Sequence, residues 1–159
     1  MMRRAVMVWV AALVLLTGLA GSANAETVAV PSNGSPDLSK MVVNNGTSAV
    51  VVKLYGVGGK DNVRWSFVQL KGADGVTYEA KVGWYSGGVW IKSLYRGSTK
   101  ITCGDYVYAW NATGGFWRVS VPRSCLDRLT NRLKAYSEHV TNTSATPGQA
   151  GWSPWVARG

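Results

Sequence analysis

The chain has 159 residues, a formal net charge of +9 at neutral pH and only two cysteines. This length suits one domain and is enough to bury an ordinary hydrophobic core. From Lys40 to Arg158 the basic side chains are scattered, without a run of adjacent charges. The charge therefore favours a soft attraction to anionic walls, phospholipids or nucleic acid, and we expect no specific binding of nucleic acid.

The first 25 residues predict a cleaved signal peptide. Arg3 and Arg4 form a basic start, residues 5–16 are apolar, and Ala-Asn-Ala at 23–25 fits a cleavage site. The apolar stretch is too short for a membrane anchor, and no later stretch approaches spanning length. We therefore expect cleavage after Ala25, export, and a location outside the cell or at the cell wall.

Cys103 and Cys125 predict one disulfide, because an even pair of cysteines in an exported chain is normally oxidised. Their spacing is not C-x-x-C, and a single histidine cannot complete a tetrahedral zinc site with them. Closing a loop of about 20 residues stabilises a chain by about 3 kcal/mol in the chain-entropy model.

The rest of the chain predicts a flexible lead-in at 26–36 and one domain at 37–159. Residues 26–36 are polar and rich in turn formers. Beyond them, Asn45-Gly46, Asp74-Gly75 and N-A-T-G at 111–114 separate short runs rich in valine, threonine and aromatic residues. This spacing indicates an all-β fold, and we expect an antiparallel β-sandwich of 7–9 strands.

Residues 126–140 carry two competing patterns. Their apolar positions step by three and four, which is the period of a helix; they are Leu126, Leu129, Leu133, Tyr136 and Val140. The stretch R-L-K-A-Y-S-E-H-V at 132–140 also suits an edge strand. The periodicity alone favours a helix, whereas the resemblance described next implies a strand. We expect a strand at 131–140, preceded by one short helix near 126–133.

Several motifs resemble small secreted proteins of actinobacteria. They are Asp37 ahead of V-x-N at 43–45, the mid-chain Cys103, V-x-V-P-R-S-C-L at 119–126, and W-x-x-W-V-A-R-G at 152–159. The resemblance covers nearly all of residues 37–159 and implies an all-β sandwich with one disulfide, but no activity. In that pattern a glycine or proline turn and then a strand follow P-R-S-C-L. This chain departs from it with D-R-L-T-N at 127–131.

A more distant likeness is to the sandwich superfamily that includes DOMON domains and some carbohydrate-binding modules. DOMON-type haem domains use a methionine and a histidine as axial ligands, and this chain has Met41 and His139. Because one methionine and one histidine occur in most chains, we expect no cofactor.

The sequence contains no catalytic motif. A triad needs a histidine beside a nucleophile, and His139 lies among polar residues in S-E-H-V-T-N, which predicts an exposed histidine. G-x-S-x-G, phosphate-loop and zinc patterns do not occur. Asp37, Asp61 and Asp105 could bind calcium in a sandwich, but the chain has no D-x-D-x-D-G loop. We expect neither catalytic residues nor a metal site.

The aromatic residues are more informative, with 8 Trp, 7 Tyr and 2 Phe. On the predicted strand 101–110, Tyr106, Tyr108 and Trp110 share one face. The opposite face carries Ile101, Cys103, Val107 and Ala109. The aromatic stripe either faces outward, where flat rings stack on sugars or bases, or fills the core with the cysteine at the rim. Trp84 and Trp90, which flank the turn Y-S-G-G, join the same candidate binding platform.

The stretch G-W-S-P-W-V-A-R-G at 151–159 carries two tryptophans. In an extended strand Trp152 and Trp155 point to opposite faces, and Pro154 suits an edge strand. We expect a last strand with one tryptophan in the core. The alternative is an exposed recognition tail.

Two functions from different classes remain. The first is an exported non-catalytic β-sandwich that binds a cell-wall polysaccharide or another anionic envelope polymer. Its candidate binding residues are Tyr106, Tyr108, Trp110, Trp84 and Trp90. The second is a small secreted hydrolase or inhibitor acting on extracellular polymers; a glycosidase would need two carboxylates in one cleft. The first is favoured because no catalytic motif is present.

Overall fold

The computed structural model describes residues 25–35, 37–56, 63–85, 89–142 and 146–159, except for the side chains of residues 84, 85 and 89. These ranges contain twelve β-strands and one 3-10 turn, Arg123–Cys125. The strands are β1 (Thr27–Pro31), β2 (Lys40–Asn45), β3 (Ala49–Tyr55), β4 (Val63–Gly72), β5 (Thr77–Tyr85), β6 (Val89–Arg96), β7 (Thr99–Ile101), β8 (Val107–Asn111), β9 (Phe116–Pro122), β10 (Arg132–Thr141), β11 (Gly148–Ala150) and β12 (Val156–Ala157).

The strands form two antiparallel sheets. The five-stranded sheet has the order β1-β2-β3-β9-β8, and the seven-stranded sheet has the order β11-β10-β4-β5-β6-β7, with β12 also paired to β10. The predicted all-β antiparallel fold with one disulfide is confirmed. There are more strands than the 7–9 expected, because β7, β11 and β12 have only two or three residues each, too few to show an alternating pattern.

Glycine turns join neighbouring strands where the sequence predicts them. Asn45-Gly46 joins β2 to β3, and Asp74-Gly75 joins β4 to β5. Gly75 adopts a φ of 88°, which residues with a Cβ rarely tolerate. Between β8 and β9 the side-chain oxygen of Asn111 accepts a hydrogen bond of 2.8 Å from the backbone N–H of Gly114. These local signals fix the hairpins.

The core lies between the sheets because alternate residues of each strand are apolar and point inward. The inward residues of the five-stranded sheet include Met41, Val43, Val50, Val52, Leu54, Trp117, Val119 and Val121, and those of the seven-stranded sheet include Val68, Leu70, Tyr78, Ala80, Val82, Leu94, Leu133 and Ala135. All of them are buried. At one edge Ser32, which follows β1, forms a bridge to Ala150 of β11 and ties the two sheets together.

Residues 132–141 form a strand, as the resemblance implied, and the short helix expected near 126–133 is absent from this described stretch. The 3-10 turn precedes it at Arg123–Cys125, and residues 126–131 form a loop with a turn at 127–128. The apparent helical period arises because two different segments contribute to it. Leu126 and Leu129 are buried in the loop before β10, whereas Leu133 is buried by the alternation of β10.

The predicted flexible lead-in at 26–36 is also corrected. Thr27–Pro31 forms β1 and pairs along its whole length with β2, from Thr27 opposite Asn44 to Pro31 opposite Lys40. The alternating valines of this segment suit a strand, which the many turn formers beside it obscured. The predicted signal peptide at 1–25 lies outside the described residues except for Ala25.

The C-terminal segment pairs with β10, but neither tryptophan fills the core. Trp152 is 41% exposed and Trp155 38%, whereas Val156 is fully buried in their place. Between β11 and β12, Ser153 continues the ladder, because its N–H donates to the Ala135 carbonyl over 2.8 Å and its hydroxyl accepts from the Ala135 N–H over 3.0 Å. This irregularity breaks the simple alternation on which the prediction depended.

The Cys103–Cys125 disulfide is confirmed, with 5.8 Å between the Cα atoms. It joins the connection between β7 and β8 to the connection between β9 and β10. Across the described residues, no helix has the length and apolar character needed to cross a membrane.

Candidate functional site: a tryptophan-lined cleft

A cleft of about 420 Å³ opens between the sheets at the edge opposite the Ser32–Ala150 bridge. We call it the tryptophan cleft; its lining residues are Val82 of β5, Trp90 and Lys92 of β6, Tyr108, Ala109 and Trp110 of β8, and Trp117 of β9. The cleft forms there because β7 pairs only with residues 94–96 of β6, so the start of β6 has no neighbour on that side. Its volume falls within the roughly 300–1,000 Å³ of small-molecule sites.

The structure divides the predicted strand 101–110, because β7 ends at Ile101 and β8 begins at Val107. The aromatic stripe, formed by Tyr108 and Trp110 of β8 and by Tyr106 just before it, points into the molecule. Tyr106 and Tyr108 are only 4% and 6% exposed and Trp110 is half-buried, whereas Val107 on the other face is 39% exposed. The outward-facing interpretation is therefore wrong, and the core interpretation is correct. Large rings suit this position because β8 is the edge strand of the five-stranded sheet and lies beside the cleft.

Trp117 stands at the centre of an aromatic cluster. Its ring centroid lies 5.5 Å from that of Trp90, 5.8 Å from that of Trp110 and 6.1 Å from that of Tyr108. These separations allow tilted and edge-on contacts, which hold aromatic rings in fixed positions. The Nε1–H of Trp117 is buried and has no hydrogen-bond partner in the described structure. The cleft wall is therefore a preformed surface of rings.

The two tyrosines are held neutral beside the cleft. Burial raises the pKa of Tyr106 and of Tyr108 far above the ordinary value. The hydroxyl of Tyr106 donates to the Lys81 carbonyl over 3.3 Å, and that of Tyr108 donates to the Ser66 hydroxyl over 2.6 Å. Both hydroxyl groups are therefore committed to structural hydrogen bonds, and the tyrosine rings form part of the cleft and its support.

Lys92 is the one charged residue that lines the cleft among the described residues. Its ammonium donates to the Tyr106 carbonyl over 2.8 Å and lies 5.8 Å from the centroid of the Tyr106 ring. These contacts hold a cation at the margin of an apolar cavity, where it can meet a hydroxyl or an acidic group of a ligand.

His139 is buried, at 2% exposure, and the predicted surface histidine is wrong. Its Nδ1 shares a hydrogen bond of 3.0 Å with the hydroxyl of Ser66. Asp37 lines the same small void as His139, and its oxygens accept from the hydroxyl of Thr141 over 3.0 Å and from its N–H over 3.4 Å. The polar neighbours of His139 in sequence misled the prediction, because alternation on β10 sends its side chain inward.

Ser66, His139 and Asp37 have the residue types of a hydrolytic triad but lack access to a substrate. Each is at most 2% exposed. The Ser66 hydroxyl already accepts from Tyr108 over 2.6 Å. Burial lowers the pKa of His139 to about 4, against a smaller opposing effect of Asp37, so the imidazole is neutral at pH 7. The cluster fixes β4, β8 and β10 to one another in the core.

The pair Met41 and His139 does not fit a haem site. The void beside His139 has no room even for a water-sized molecule, and it is lined by Asp37, Leu38, Leu54, Gly56 and Trp117, but not by Met41. In the part of the chain that the structure describes, His, Cys, Asp and Glu form no group of three or more that could hold a metal ion. Asp61, one of the calcium candidates, lies outside the described residues.

Nothing among protein-family models, curated proteins or solved structures matches this chain. The resemblance to small secreted actinobacterial proteins and the likeness to DOMON and carbohydrate-binding sandwiches therefore stay predictions.

The structure brings together part of the predicted binding set. Trp90, Tyr108 and Trp110 line the tryptophan cleft, Tyr106 supports it, and the side chain of Trp84 lies outside the described residues. Trp117 and Lys92 were missed. The adjacent aromatics of G-F-W-R at 115–118 were a usable signal, because the hairpin turn at 111–114 places Trp117 opposite Trp110. The packing of β6 of the other sheet against this hairpin, which brings Trp90 and Lys92 to the cleft, is the long-range part that the sequence does not show.

Proposed function

We propose that this protein is an exported, non-catalytic β-sandwich that binds a glycan of the cell envelope in the tryptophan cleft. The observation that carries the proposal is the convergence of Trp90, Trp110 and Trp117 on one cavity between the sheets. The predicted signal peptide supports export, and the Cys103–Cys125 disulfide suits an oxidising compartment.

A sugar is the ligand class that best matches this lining. The C–H face of a pyranose ring is apolar and packs on an indole, whereas its hydroxyl groups need polar partners at the margin. The cleft offers three indole rings and the cationic Lys92. Without Arg3 and Arg4 of the predicted signal peptide the chain has 15 basic and 8 acidic side chains, and this formal charge of +7 further favours association with an envelope that carries negative charge.

The hydrolase alternative receives no support from the cleft. Glycoside hydrolysis needs two carboxyl groups on either side of the scissile bond. None of the described residues that line the tryptophan cleft is acidic. Binding without turnover is therefore the function that we propose.

A binding assay on purified cell-wall polysaccharide tests this proposal. We expect retention of the wild-type protein and a loss of about tenfold or more in affinity for Trp110→Ala, because one aromatic stacking contact is removed. Trp110→Phe should retain part of the affinity, since a flat ring remains. Val107→Ala, on the exposed face of the same strand, is the matched control and should bind as the wild type does.

Circular dichroism and thermal unfolding of each variant separate lost binding from lost folding. If Trp110→Ala disturbs the fold, Trp110→Phe and Lys92→Ala still test the cleft. The proposal is wrong if the folded wild-type protein shows no affinity for any wall fraction, or if folded variants of the cleft bind as well as the wild type.

A further inference from the structure

The outer face of the seven-stranded sheet carries a second aromatic surface, far from the tryptophan cleft in sequence. Trp152 and Trp155 are 41% and 38% exposed, and both stand beside β10. The ring of Trp152 lies 5.7 Å from that of Tyr136, whose side chain projects from the outer face of β10. Large exposed rings grouped on one face are unusual in a soluble chain and indicate an interaction site.

Lys134 connects the two tryptophans. Its ammonium lies 4.9 Å from the ring centroid of Trp152 and 5.5 Å from that of Trp155. A cation over the faces of two indoles is held in place by their quadrupoles. The surface therefore presents a fixed positive charge beside two partly exposed rings.

A second lysine adds to the positive charge of this surface. Lys71 of β4 is the direct register partner of Lys134, and both project from the outer face of the sheet. Like charges directly opposite each other destabilise a sheet. Within the described residues, neither lysine forms a salt bridge with an acidic side chain. The nearest acid on β10, Glu138, accepts hydrogen bonds of 3.1 Å from Tyr136 and from Gln149.

We propose that Lys71, Lys134, Tyr136, Trp152 and Trp155 form a binding site for an acidic polysaccharide. A uronate residue of the chain lies with its C–H face on an indole while its carboxylate accepts hydrogen bonds from the two opposed lysines. The charge complementarity is direct, because an anion between Lys71 and Lys134 removes their mutual repulsion. This site does not depend on the tryptophan cleft, since the two share no residue.

The geometry favours a carboxylated sugar over a simple phosphate polymer. A uronate carries its acid directly on the pyranose ring, so a single sugar can meet the lysines and the indole at the same time. An inorganic polyphosphate can satisfy the lysines but has no ring to place on Trp152 or Trp155. Ring contact and charge contact must therefore both contribute if the proposal is correct.

Isothermal titration of the full chain with polygalacturonate tests the site. Lys134→Gln and Lys71→Gln should each weaken binding about fivefold, as expected for loss of one partly exposed ionic contact. Trp152→Ala should weaken it similarly at constant charge. Lys53→Gln is the matched control: Lys53 also lies over an aromatic ring, 4.9 Å from the centroid of Phe116, but on the five-stranded sheet.

Two further ligands separate the contribution of the sugar ring from that of the charge. Methyl-esterified polygalacturonate keeps the sugar rings but loses the charge, and it should bind more weakly than the acid form. Polyphosphate should bind without any effect of Trp152→Ala. The proposal is overturned if polygalacturonate does not bind, if Lys53→Gln weakens binding as much as Lys134→Gln, or if Trp152→Ala leaves the affinity unchanged. Failure here leaves the cleft proposal standing, since that one depends on Trp110.

Discussion

His139 shows how one buried side chain links the two sheets and sets a response to pH. It is held neutral in the core beside Ser66, which also accepts from Tyr108 of the other sheet. A neutral imidazole costs little to bury when its nitrogen is hydrogen-bonded, whereas an imidazolium there would lose its hydration. The cluster is therefore stable only as long as His139 stays unprotonated.

We predict that the free energy of unfolding falls as the pH is lowered from 6.5 to 4, because His139 then becomes protonated in the unfolded chain. Burial lowers the pKa of His139 from 6.5 to about 4, so in this window the unfolded chain binds a proton that the folded chain does not. The stabilisation is complete above pH 6.5 and is lost as the pH falls towards 4. The loss amounts to roughly 3 kcal/mol of unfolding free energy. Urea unfolding at a series of pH values measures it.

His139→Gln provides the control, because glutamine keeps a hydrogen-bonding group near Ser66 but does not titrate. Exposed carboxylates titrate equally in both proteins, so the difference between the two pH profiles isolates His139. Identical slopes of unfolding free energy against pH in the wild type and His139→Gln would contradict the prediction.

At the scale of single elements, the C-terminal segment is an interrupted edge strand. β11 and β12 pair with β10 at its two ends, and Ser153 bridges the gap with two hydrogen bonds to Ala135. The buried side chain of Asn45 holds the end of the segment from the other sheet, because its amide donates to the Val156 carbonyl over 2.8 Å. Val156 is the apolar anchor of this arrangement.

We predict that Val156→Ala lowers the unfolding free energy by about 2 kcal/mol, because it removes two methylene-sized groups from a fully buried position. Equilibrium urea unfolding gives the value. Val107→Ala is the matched control, since Val107 is exposed on β8 and surface substitutions rarely exceed about 0.5 kcal/mol. Equal effects of the two substitutions would show that Val156 is not an anchor.

The same elements show what the sequence could predict. The hairpins at Asn45-Gly46 and Asp74-Gly75 were predictable, because each turn depends only on its own residues. Alternation correctly grouped Tyr108 and Trp110 of β8 with Tyr106 just before it, but alternation alone cannot say which group faces inward. The orientation of Trp152 and Trp155 could not be predicted from alternation. Ser153 and the break before β12 place both indoles beside the same lysine, Lys134.

At the scale of the whole molecule, the disulfide joins the two connections in which the chain crosses between the sheets. The chain crosses from β7 of one sheet to β8 of the other and returns from β9 to β10. Cys103 and Cys125 lie in these two crossings, 22 positions apart. The closed loop contains β8 and β9, which supply four of the seven residues that line the cleft, namely Tyr108, Ala109, Trp110 and Trp117. The bridge therefore restrains the hairpin that carries more than half of the residues that line the candidate site.

We predict that replacing both cysteines, Cys103→Ser with Cys125→Ser, lowers the unfolding free energy by about 3 kcal/mol, since the unfolded chain regains the entropy of an open loop of this length. The melting temperature should fall by roughly 10 °C for a domain of this size. Reductant should lower the melting temperature of the wild type towards that of the double variant and leave the variant unchanged. Because the hairpin of β8 and β9 is the segment released, ligand affinity at the cleft should fall with it even at temperatures where the variant is folded. A double variant that unfolds and binds as the wild type does would show that the sheets hold this hairpin without the bridge.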